Sequence, residues 1–207
     1  SELRIILLGN SWSERSSAGN FILGETVFNT EEEPDHCQTV RGLLMEQEIV
    51  LINTPDLLHP NISEDKLTEH VETCVRLSDP GPHVFLLVLQ PEDFTEDHKK
   101  GLQSILELFS DRSFDHSVIL TSPPKESSDV KENNTSHQPL KEMIRMCRKQ
   151  VLWKNTVSSE LLAYLDQIAK KNGGAVSCIA FADSVSAKLK QQETISASQD
   201  HVKVTGE

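Results

Sequence analysis

The chain has 207 residues, enough for one α/β domain with a complete hydrophobic core. It carries 20 basic and 32 acidic residues, and the net charge of −12 argues against binding to nucleic acid or to anionic membranes through overall charge. The longest apolar run, residues 84–89, falls far short of the roughly 20 residues that span a bilayer. We therefore predict no nucleic-acid partner and no direct membrane insertion by this segment.

The cysteines are far apart in the sequence and indicate reduced thiols. They are Cys37, Cys74, Cys147 and Cys178, with no CxxC pair and no histidine grouping of zinc spacing. No signal peptide is visible, so we expect a cytoplasmic protein. Because the chain starts at Ser1, directly before a predicted strand, we also expect a piece of a longer protein. Other parts of that protein could bring it to internal membrane surfaces.

Apolar runs and helical periodicity alternate along the chain. The predicted strands, in order, are residues 3–8, 48–52, 84–89 and 118–121. The predicted helices are residues 16–23, 66–77, 95–109, 140–147 and 160–171, the last ending at Asn172-Gly173-Gly174. This alternation predicts an α/β fold with a mostly parallel sheet and right-handed crossovers.

Two segments lack the apolar content to bury a face. Residues 122–139 contain three prolines and two neighbouring asparagines, which predicts a loop insertion. Residues 175–207 form a polar C-terminal extension, rich in Ser, Lys, Gln, Thr and Glu from Asp183 onward. We expect either a surface helix or disorder there.

The turn after the first strand has the position of a phosphate-binding loop. Compared with the pattern G-x-x-x-x-G-K-[ST], Gly9 and Ser16 fit, while Glu14 replaces the second glycine and Arg15 replaces the lysine. An ordinary strand-to-helix connection can produce the same residues. This motif by itself leaves both interpretations open.

Two longer blocks resemble the GIMAP (immunity-associated GTPase) family. The first is residues 17–25, Ser-Ala-Gly-Asn-Phe-Ile-Leu-Gly-Glu, together with Phe28. The second is residues 77–89, Leu-Ser-Asp-Pro-Gly-Pro-His-Val-Phe-Leu-Leu-Val-Leu, followed by Phe-Thr-Glu-Asp at 94–97. The GIMAP family in turn is similar to septin-like and plant chloroplast-import GTPases.

The resemblance implies a three-layer P-loop GTPase-like domain over residues 1–174. It implies binding of GTP or GDP with magnesium, slow or absent hydrolysis in some members, and self-association across the nucleotide face. Residues 175–207 lie outside the resemblance.

The phosphate-loop substitutions weaken the expectation of tight binding. Arg15 is longer and planar where the family has a lysine that reaches the phosphates as a point charge. Glu14 would place a carboxylate about 4 to 6 Å from phosphate, at a cost of about 2 to 4 kcal/mol at an effective dielectric near 20. Such a cost weakens binding by roughly tens to hundreds of times. If the Glu14 side chain turns into solvent, the cost shrinks.

The metal-binding and switch positions are changed too. Ser16 keeps the hydroxyl that ligates magnesium in the family, and is equally suited to a helix N-cap or first turn. The family motif D-T-P-G is here Asn-Thr-Pro-Asp, so Asn53 lacks the metal-holding carboxylate and Asp56 lacks the glycine amide that meets the γ-phosphate. An ordinary strand end and turn also explains this segment. Pro34 stands where the family has its switch I threonine, three residues before Cys37.

The base-recognition positions keep little of the family pattern. Residues 121–124, Thr-Ser-Pro-Pro, lack the aspartate that selects guanine, and Asp129 is too far downstream to replace it. Asn155 is the one residue kept of a later asparagine pair. Trp153 is interpreted as core or interface packing in preference to base stacking.

We predict a pseudo-GTPase that acts as a scaffold or interaction module, with a protein partner or with itself across the G-domain face. The candidate cofactor-binding positions are Gly9, Ser11, Ser13, Glu14, Arg15, Ser16, Ser17, Asn53, Asp56 and Asn155. No catalytic residue and no bound metal are predicted, with Ser16 a vestigial magnesium ligand, and no tightly bound cofactor is expected. The alternative is weak binding of GTP or GDP with magnesium, through Gly9, Ser13, Arg15, Ser16 and Ser17, that regulates self-association. An active hydrolase is a third and weaker hypothesis, since nothing here places a metal or orients a water.

Overall fold

A computed structural model describes residues 1–123 and 137–178 of the chain. Its strands are β1 (Glu2–Leu8), β2 (Gln38–Leu44), β3 (Gln47–Asn53), β4 (Val84–Val88), β5 (Ser117–Thr121) and β6 (Val151–Trp153). Its α-helices are α1 (Trp12–Leu23), α2 (Glu64–Leu77), α3 (Glu96–Phe109), α4 (Gln138–Met146) and α5 (Ser158–Lys171). A 3-10 turn, Ser113–His116, precedes β5.

The strands form one sheet in the order β2-β3-β1-β4-β5-β6. Each neighbouring pair is parallel except β2 and β3, which are antiparallel. The central strands β1 and β4 are almost fully buried, as their continuous runs of Ile, Leu, Val and Phe predict. The predicted α/β fold with a mostly parallel sheet is therefore confirmed.

Helices cover both faces of the sheet and make three layers. One apolar cluster joins a sheet face to residues of α2, α3 and α4, among them Val71, Leu102 and Met143. The other joins the opposite face to α1 and α5 through Ile22 and Leu165. Alternate residues of β1 belong to the two clusters, as the two-residue period of a strand requires.

Two strands were not predicted from the sequence. Strand β2 has no run of apolar residues, and its alternate residues are exposed. It is joined to β3 by a tight turn in which Met45 and Glu46 both have positive φ, 50° and 70°. Strand β6 has only three residues. Both lie at the edges of the sheet, where little side-chain burial is needed.

Helix α1 begins at Trp12, four residues before the predicted start, so that prediction was wrong. Ser11 is the N-cap, and its side chain accepts a hydrogen bond from the Glu14 backbone N. The predicted loop 122–139 also ends too late, since α4 already includes Gln138 and Pro139. Residues 124–136 of that loop, with Asp129, lie outside the described part of the chain.

The predicted domain boundary at residue 174 stays a prediction, because residues 179–207 lie outside the described residues. Asn172 caps α5, and Gly173 and Gly174 follow with positive φ. Beyond them, Val176 donates its backbone N–H to the Pro82 carbonyl at 2.7 Å, and Cys178 is fully buried. The packed chain therefore continues to Cys178.

A half-buried histidine at the amino end of β4 gives the fold a pH dependence. The Nδ1 atom of His83 accepts a hydrogen bond from the Arg4 backbone N at 2.9 Å, and burial, with Arg4 nearby, lowers the pKa of His83 from 6.5 to about 4. The unfolded chain therefore binds more protons between these pH values. We expect the free energy of unfolding to fall as the pH drops through this window, and His83→Gln to reduce the slope.

Urea unfolding at a series of pH values measures this slope. Burial lowers the pKa of His70 and His116 too, so the substitution removes only part of the effect. His59→Gln, at an exposed histidine, is the matched control. Equal slopes in the His83 and His59 variants would contradict the prediction.

Candidate functional site

The candidate site lies at the carboxyl edge of the sheet, between β1 and β4. The chain leaves β1 towards β3 on one side and returns through α2 to β4 on the other, so the strand order reverses here. In open α/β sheets, ligands bind outside the carboxyl ends of the strands at such a point. Gly9 follows β1 with φ +155°, and an added Cβ would overlap the carbonyl oxygen of Val88.

Gly9→Ala is therefore expected to lower the free energy of unfolding by about 3 kcal/mol or more, because it combines a steric clash with strained backbone. The matched control is Gly24→Ala, which also has positive φ but no neighbouring atom within 4 Å of the added Cβ. This control is expected to cost only about 1 kcal/mol. Urea unfolding of both variants measures the difference, and equal losses would show that Gly9 has no steric role.

Two backbone amides near the start of α1 are already used within the helix. The Glu14 N–H bonds the Ser11 side chain at 3.4 Å, and the Arg15 N–H bonds the Ser11 carbonyl at 3.0 Å. Ser13 and Ser17 are exposed on the helix. Residues 9–16, which resemble a phosphate loop in sequence, are thus largely helical, since only residues 9–11 lie between β1 and α1.

Arg15 is fully buried at the centre of the site. Its Nε donates to the Thr54 carbonyl at 3.3 Å, and its Nη1 donates to the Gly9 carbonyl. Its Nη2 has no hydrogen bond in the described chain but lies 3.6 Å from the Glu33 carboxylate, and the guanidinium carbon lies 5.8 Å from the centre of the Trp12 ring. The side chain thus joins α1 to the end of β3 and to the loop before β2.

The surroundings of Arg15 favour a retained positive charge. Burial lowers the pKa of Arg15 to about 10, while the carboxylates of Glu33 and Asp56 act in the opposite direction. The guanidinium is therefore still protonated at neutral pH. The guanidinium is thus held by two carbonyl acceptors and a nearby carboxylate of the protein itself, with its Nη2 still without a hydrogen bond in the described chain.

Glu14 does not turn into solvent, which was one of the two expectations for it. Its carboxylate accepts a hydrogen bond from the Gln90 side chain at 2.9 Å and forms an ion pair with Lys154. Gln90 in turn accepts from the Ser122 hydroxyl at 3.3 Å. These contacts connect α1 to the residues that follow β4, β5 and β6, across the carboxyl edge of the sheet.

Sequence reasoning missed Gln90 and Lys154 as members of this group. Each follows a strand closely, Gln90 shortly after β4 and Lys154 immediately after β6. A polar residue at the carboxyl end of a parallel strand is the signal that could have identified them. Glu33 had no comparable signal, because it lies in a long loop.

The side chains of Ser16 and Asn53 are in contact next to Arg15. Both are fully buried, and the Asn53 Nδ2 donates to the Ser16 hydroxyl oxygen at 3.2 Å. The Asn53 Oδ1 has no hydrogen-bond partner in the described residues. Ser16 lies in the second turn of α1, so the N-cap and first-turn interpretations were wrong.

The segment after β3 is a local turn. The Asp56 carboxylate accepts from the Leu58 N–H at 3.2 Å, and the Leu57 N–H bonds the Pro55 carbonyl at 2.9 Å. The Thr54 hydroxyl donates to the Leu7 carbonyl at 2.9 Å. This agrees with the turn expected from Pro55 and Asp56, and it brings Asp56 into the electrostatic environment of Arg15.

The opposite end of the site lies after β5 and β6. The Thr121 hydroxyl is buried without a partner in the described chain. Asn155 is exposed in the turn after β6, and Trp153 is 43% exposed, so core packing of Trp153 was wrong. Interface packing stays a prediction.

In residues 1–123 and 137–178, no three His, Cys, Asp or Glu side chains are close enough together to hold a metal ion. Within the same ranges, every helix is too short or too polar to traverse a bilayer.

Comparison with known proteins identifies the family. The sequence profile described as the AIG1 family matches residues 3–201, nearly the whole chain. The chain belongs to the AIG1 family. It is a GIMAP-type G domain, as the resemblance implied, and the match extends well beyond the 1–174 segment on which that resemblance rested.

Several curated proteins are similar to this AIG1 domain. GTPase IMAP family member 8 from Homo sapiens is 27% identical over 190 residues, covering 84% of the chain and 29% of the human protein. Immune-associated nucleotide-binding protein 5 from Arabidopsis thaliana is 29% identical over 192 residues, covering 82% and 62% respectively. The chain therefore spans about a third of the first relative and less than two thirds of the second.

Solved structures share the fold at low sequence identity. The crystal structure of Toc33 from Arabidopsis thaliana in complex with GDP and Mg2+ has a TM-score of 0.65 at 15% identity, covering 86% of this chain and 88% of that one. A dimerization-deficient mutant of the same Toc33 protein has a TM-score of 0.64 at 16% identity, covering 84% and 86%. At this identity the likeness establishes a P-loop GTPase fold and no more.

Proposed function

We propose that this AIG1 domain is a pseudo-GTPase, an interaction module whose nucleotide cleft is filled by its own side chains. The observation that carries the proposal is the position of Arg15. Its guanidinium is buried against the carbonyls of Gly9 and Thr54, whereas a phosphate-binding cation has to point outward to a ligand. A bound triphosphate would have to displace these contacts.

The start of α1 supports the same conclusion. A phosphate loop binds its ligand through free backbone amides, and those of Glu14 and Arg15 are bonded to Ser11. The Glu14 carboxylate lies at the cleft and is held there by Gln90 and Lys154. A nucleotide would break that ion pair and then face an unpaired carboxylate.

The residues present do not fit a magnesium ion. Magnesium prefers oxygen ligands in octahedral geometry, with carboxylates among them. The Ser16 hydroxyl oxygen instead accepts a hydrogen bond from the Asn53 amide, and the Asp56 carboxylate accepts one in its own turn. The cleft therefore offers the metal no available carboxylate at the family's positions.

The residues at the position of the nucleotide base also support the proposal, because they offer no group that selects guanine. Recognition of guanine in the family needs an aspartate acceptor after β5, and the four-residue motif that ends in this aspartate aligns with residues 121–124, which end in Pro124. The Ser122 hydroxyl already bonds Gln90. Asn155 by itself supplies no carboxylate.

The role we infer is that of a cytoplasmic scaffold that binds a protein partner or a second copy across the G-domain face. Trp153 and Val157 are 43% and 57% exposed on either side of the turn that contains Lys154 and Asn155. Exposed aromatic and aliphatic side chains beside a filled cleft support a protein contact there. In the structurally similar chloroplast translocon components atToc33 and psToc159, dimerization is important for the GTPase activity.

The test is the nucleotide content of the natively purified chain. Heat denaturation followed by ion-exchange chromatography is expected to release no guanine nucleotide, and GTP with magnesium is expected not to raise the melting temperature. A relative that does bind GDP, purified in parallel, shows that the procedure retains nucleotide. Recovery of guanine nucleotide in a one-to-one ratio would overturn the proposal.

The second candidate is a weak GTP- or GDP-binding domain whose occupancy regulates self-association. It is supported by relatives that are named as GTPase and nucleotide-binding proteins, and by Toc33 structures with GDP or GMPPNP and Mg2+. The buried Asn53 Oδ1 and Thr121 Oγ1, which have no partner in the described chain, lie at the two ends of the cleft. In this case Gly9, Ser16 and Arg15 would contact the phosphates after rearrangement.

A further inference from the structure

Two of the scattered cysteines lie in contact in the folded chain. The sulfur atoms of Cys37 and Cys74 are 3.0 Å apart, and both residues are free thiols. A disulfide bond is about 2.05 Å long, so a small movement brings the sulfurs to bonding distance. Cys37 is 6% exposed and Cys74 is fully buried.

The two thiols lie in different elements next to the candidate site. Cys37 ends the loop that leads into β2, and that loop carries Glu33, the carboxylate beside Arg15. The other end of the loop is fixed by the Trp12 indole, which donates to the Asn29 carbonyl at 2.8 Å. Cys74 lies in α2, the helix that follows the turn at Asp56. A bond between the sulfurs would tie this loop to α2.

We propose that Cys37 and Cys74 are a thiol-oxidation site at which hydrogen peroxide forms a reversible disulfide between the loop before β2 and helix α2. The Cys37 thiolate attacks one peroxide oxygen, the O–O bond breaks, and the products are a sulfenic acid and water. The Cys74 thiol then attacks the Cys37 sulfur, the S–S bond forms and a second water leaves. In total, two thiols and one peroxide give one disulfide and two waters.

Accessibility sets the order of these steps. Cys37 is the more exposed of the two, and its loop can open locally because it is held mainly by side-chain contacts. The hydrogen bond with Cys37 and burial raise the pKa of the Cys74 thiol well above its usual value. The second step needs the Cys74 thiolate, so closure of the disulfide is slow at neutral pH and accelerates as the pH rises.

The test is oxidation of the whole chain by hydrogen peroxide, followed by intact-mass measurement and peptide mapping. The expected product is lighter by two hydrogen atoms, contains one Cys37–Cys74 linkage, and returns to the starting mass with dithiothreitol. Its melting temperature is expected to rise by about 5 to 10 °C relative to the reduced chain. Cys37→Ser and Cys74→Ser abolish the linked product, whereas Cys147→Ser retains it.

Three results would overturn the proposal. One is a linkage to Cys147 or Cys178, and another is addition of oxygen atoms in place of the loss of hydrogen. The third is native protein that keeps both thiols under peroxide that oxidises the urea-unfolded chain. The linkage depends only on the cysteine geometry. A domain that forms it and also releases bound guanine nucleotide would uphold this inference and overturn the proposed function.

Discussion

Replacing Arg15 by alanine is expected to lower the free energy of unfolding by about 3 kcal/mol, although phosphate-loop cations normally serve a ligand. The side chain is one of the largest in the described chain with no exposed surface. Its removal leaves a cavity, breaks the hydrogen bonds to the Gly9 and Thr54 carbonyls, and leaves those buried acceptors without a partner. Urea unfolding of the variant measures the loss.

Two further variants separate the causes. Ser17→Ala, on the exposed face of the same helix, is the matched control and is expected to change stability by less than about 0.5 kcal/mol. Arg15→Met keeps most of the volume and loses the charge and the hydrogen bonds, so its loss should lie between the other two. An Arg15→Ala variant as stable as the Ser17→Ala control would mean that Arg15 does not stabilise the fold and is available to bind a ligand.

Restoring four family residues at once is expected to produce measurable but unselective nucleotide binding. The variant combines Glu14→Gly, Arg15→Lys, Asn53→Asp and Asp56→Gly. It removes the cleft carboxylate, frees space at the loop and supplies a carboxylate for magnesium. We expect the dissociation constant for GDP with magnesium to reach about 10 to 100 μM, a gain of at least about 1.4 to 2.8 kcal/mol over an unchanged chain that binds more weakly than about 1 mM.

The residues that would contact the nucleotide base limit the selectivity of this fourfold variant. Residues 121–124 still lack a carboxylate for guanine, so ADP and GDP are expected to bind the variant within about threefold of each other. A double variant with only Asn53→Asp and Asp56→Gly is the control, and it is expected to bind neither nucleotide because Glu14 and Arg15 remain. Calorimetry or fluorescent-nucleotide titration measures both. Tight and guanine-selective binding by the fourfold variant would show that the base motif lies elsewhere.

The fold could be predicted from the sequence because its central strands carry their own signal. Runs of Ile, Leu, Val and Phe at β1, β4 and β5 are long enough to require burial on both faces, and periodic helices lie between them. Strand β2 carried no such signal, since alternate residues face solvent and its pairing depends on β3. The start of α1 did carry a signal in the sequence, because Ser11 and Glu14 have the spacing of a helix capping motif.

The candidate site could be predicted as a set of positions but not as a set of contacts. Glu14 and Lys154 are 140 residues apart, and no local pattern indicates that they form an ion pair. The same holds for the sulfur contact between Cys37 and Cys74. Such contacts depend on where the sheet places the ends of its strands and loops. Only the folded chain determines whether a substituted side chain meets solvent, a ligand or another side chain.

Isothermal titration calorimetry of the unchanged chain with GDP and magnesium tests the central claim most directly. Because Arg15 and Glu14 are held by contacts within the protein, we expect no binding heat at nucleotide concentrations up to about 1 mM, which corresponds to a binding free energy weaker than about −4 kcal/mol. A saturable one-to-one isotherm with a dissociation constant in the low micromolar range would contradict it.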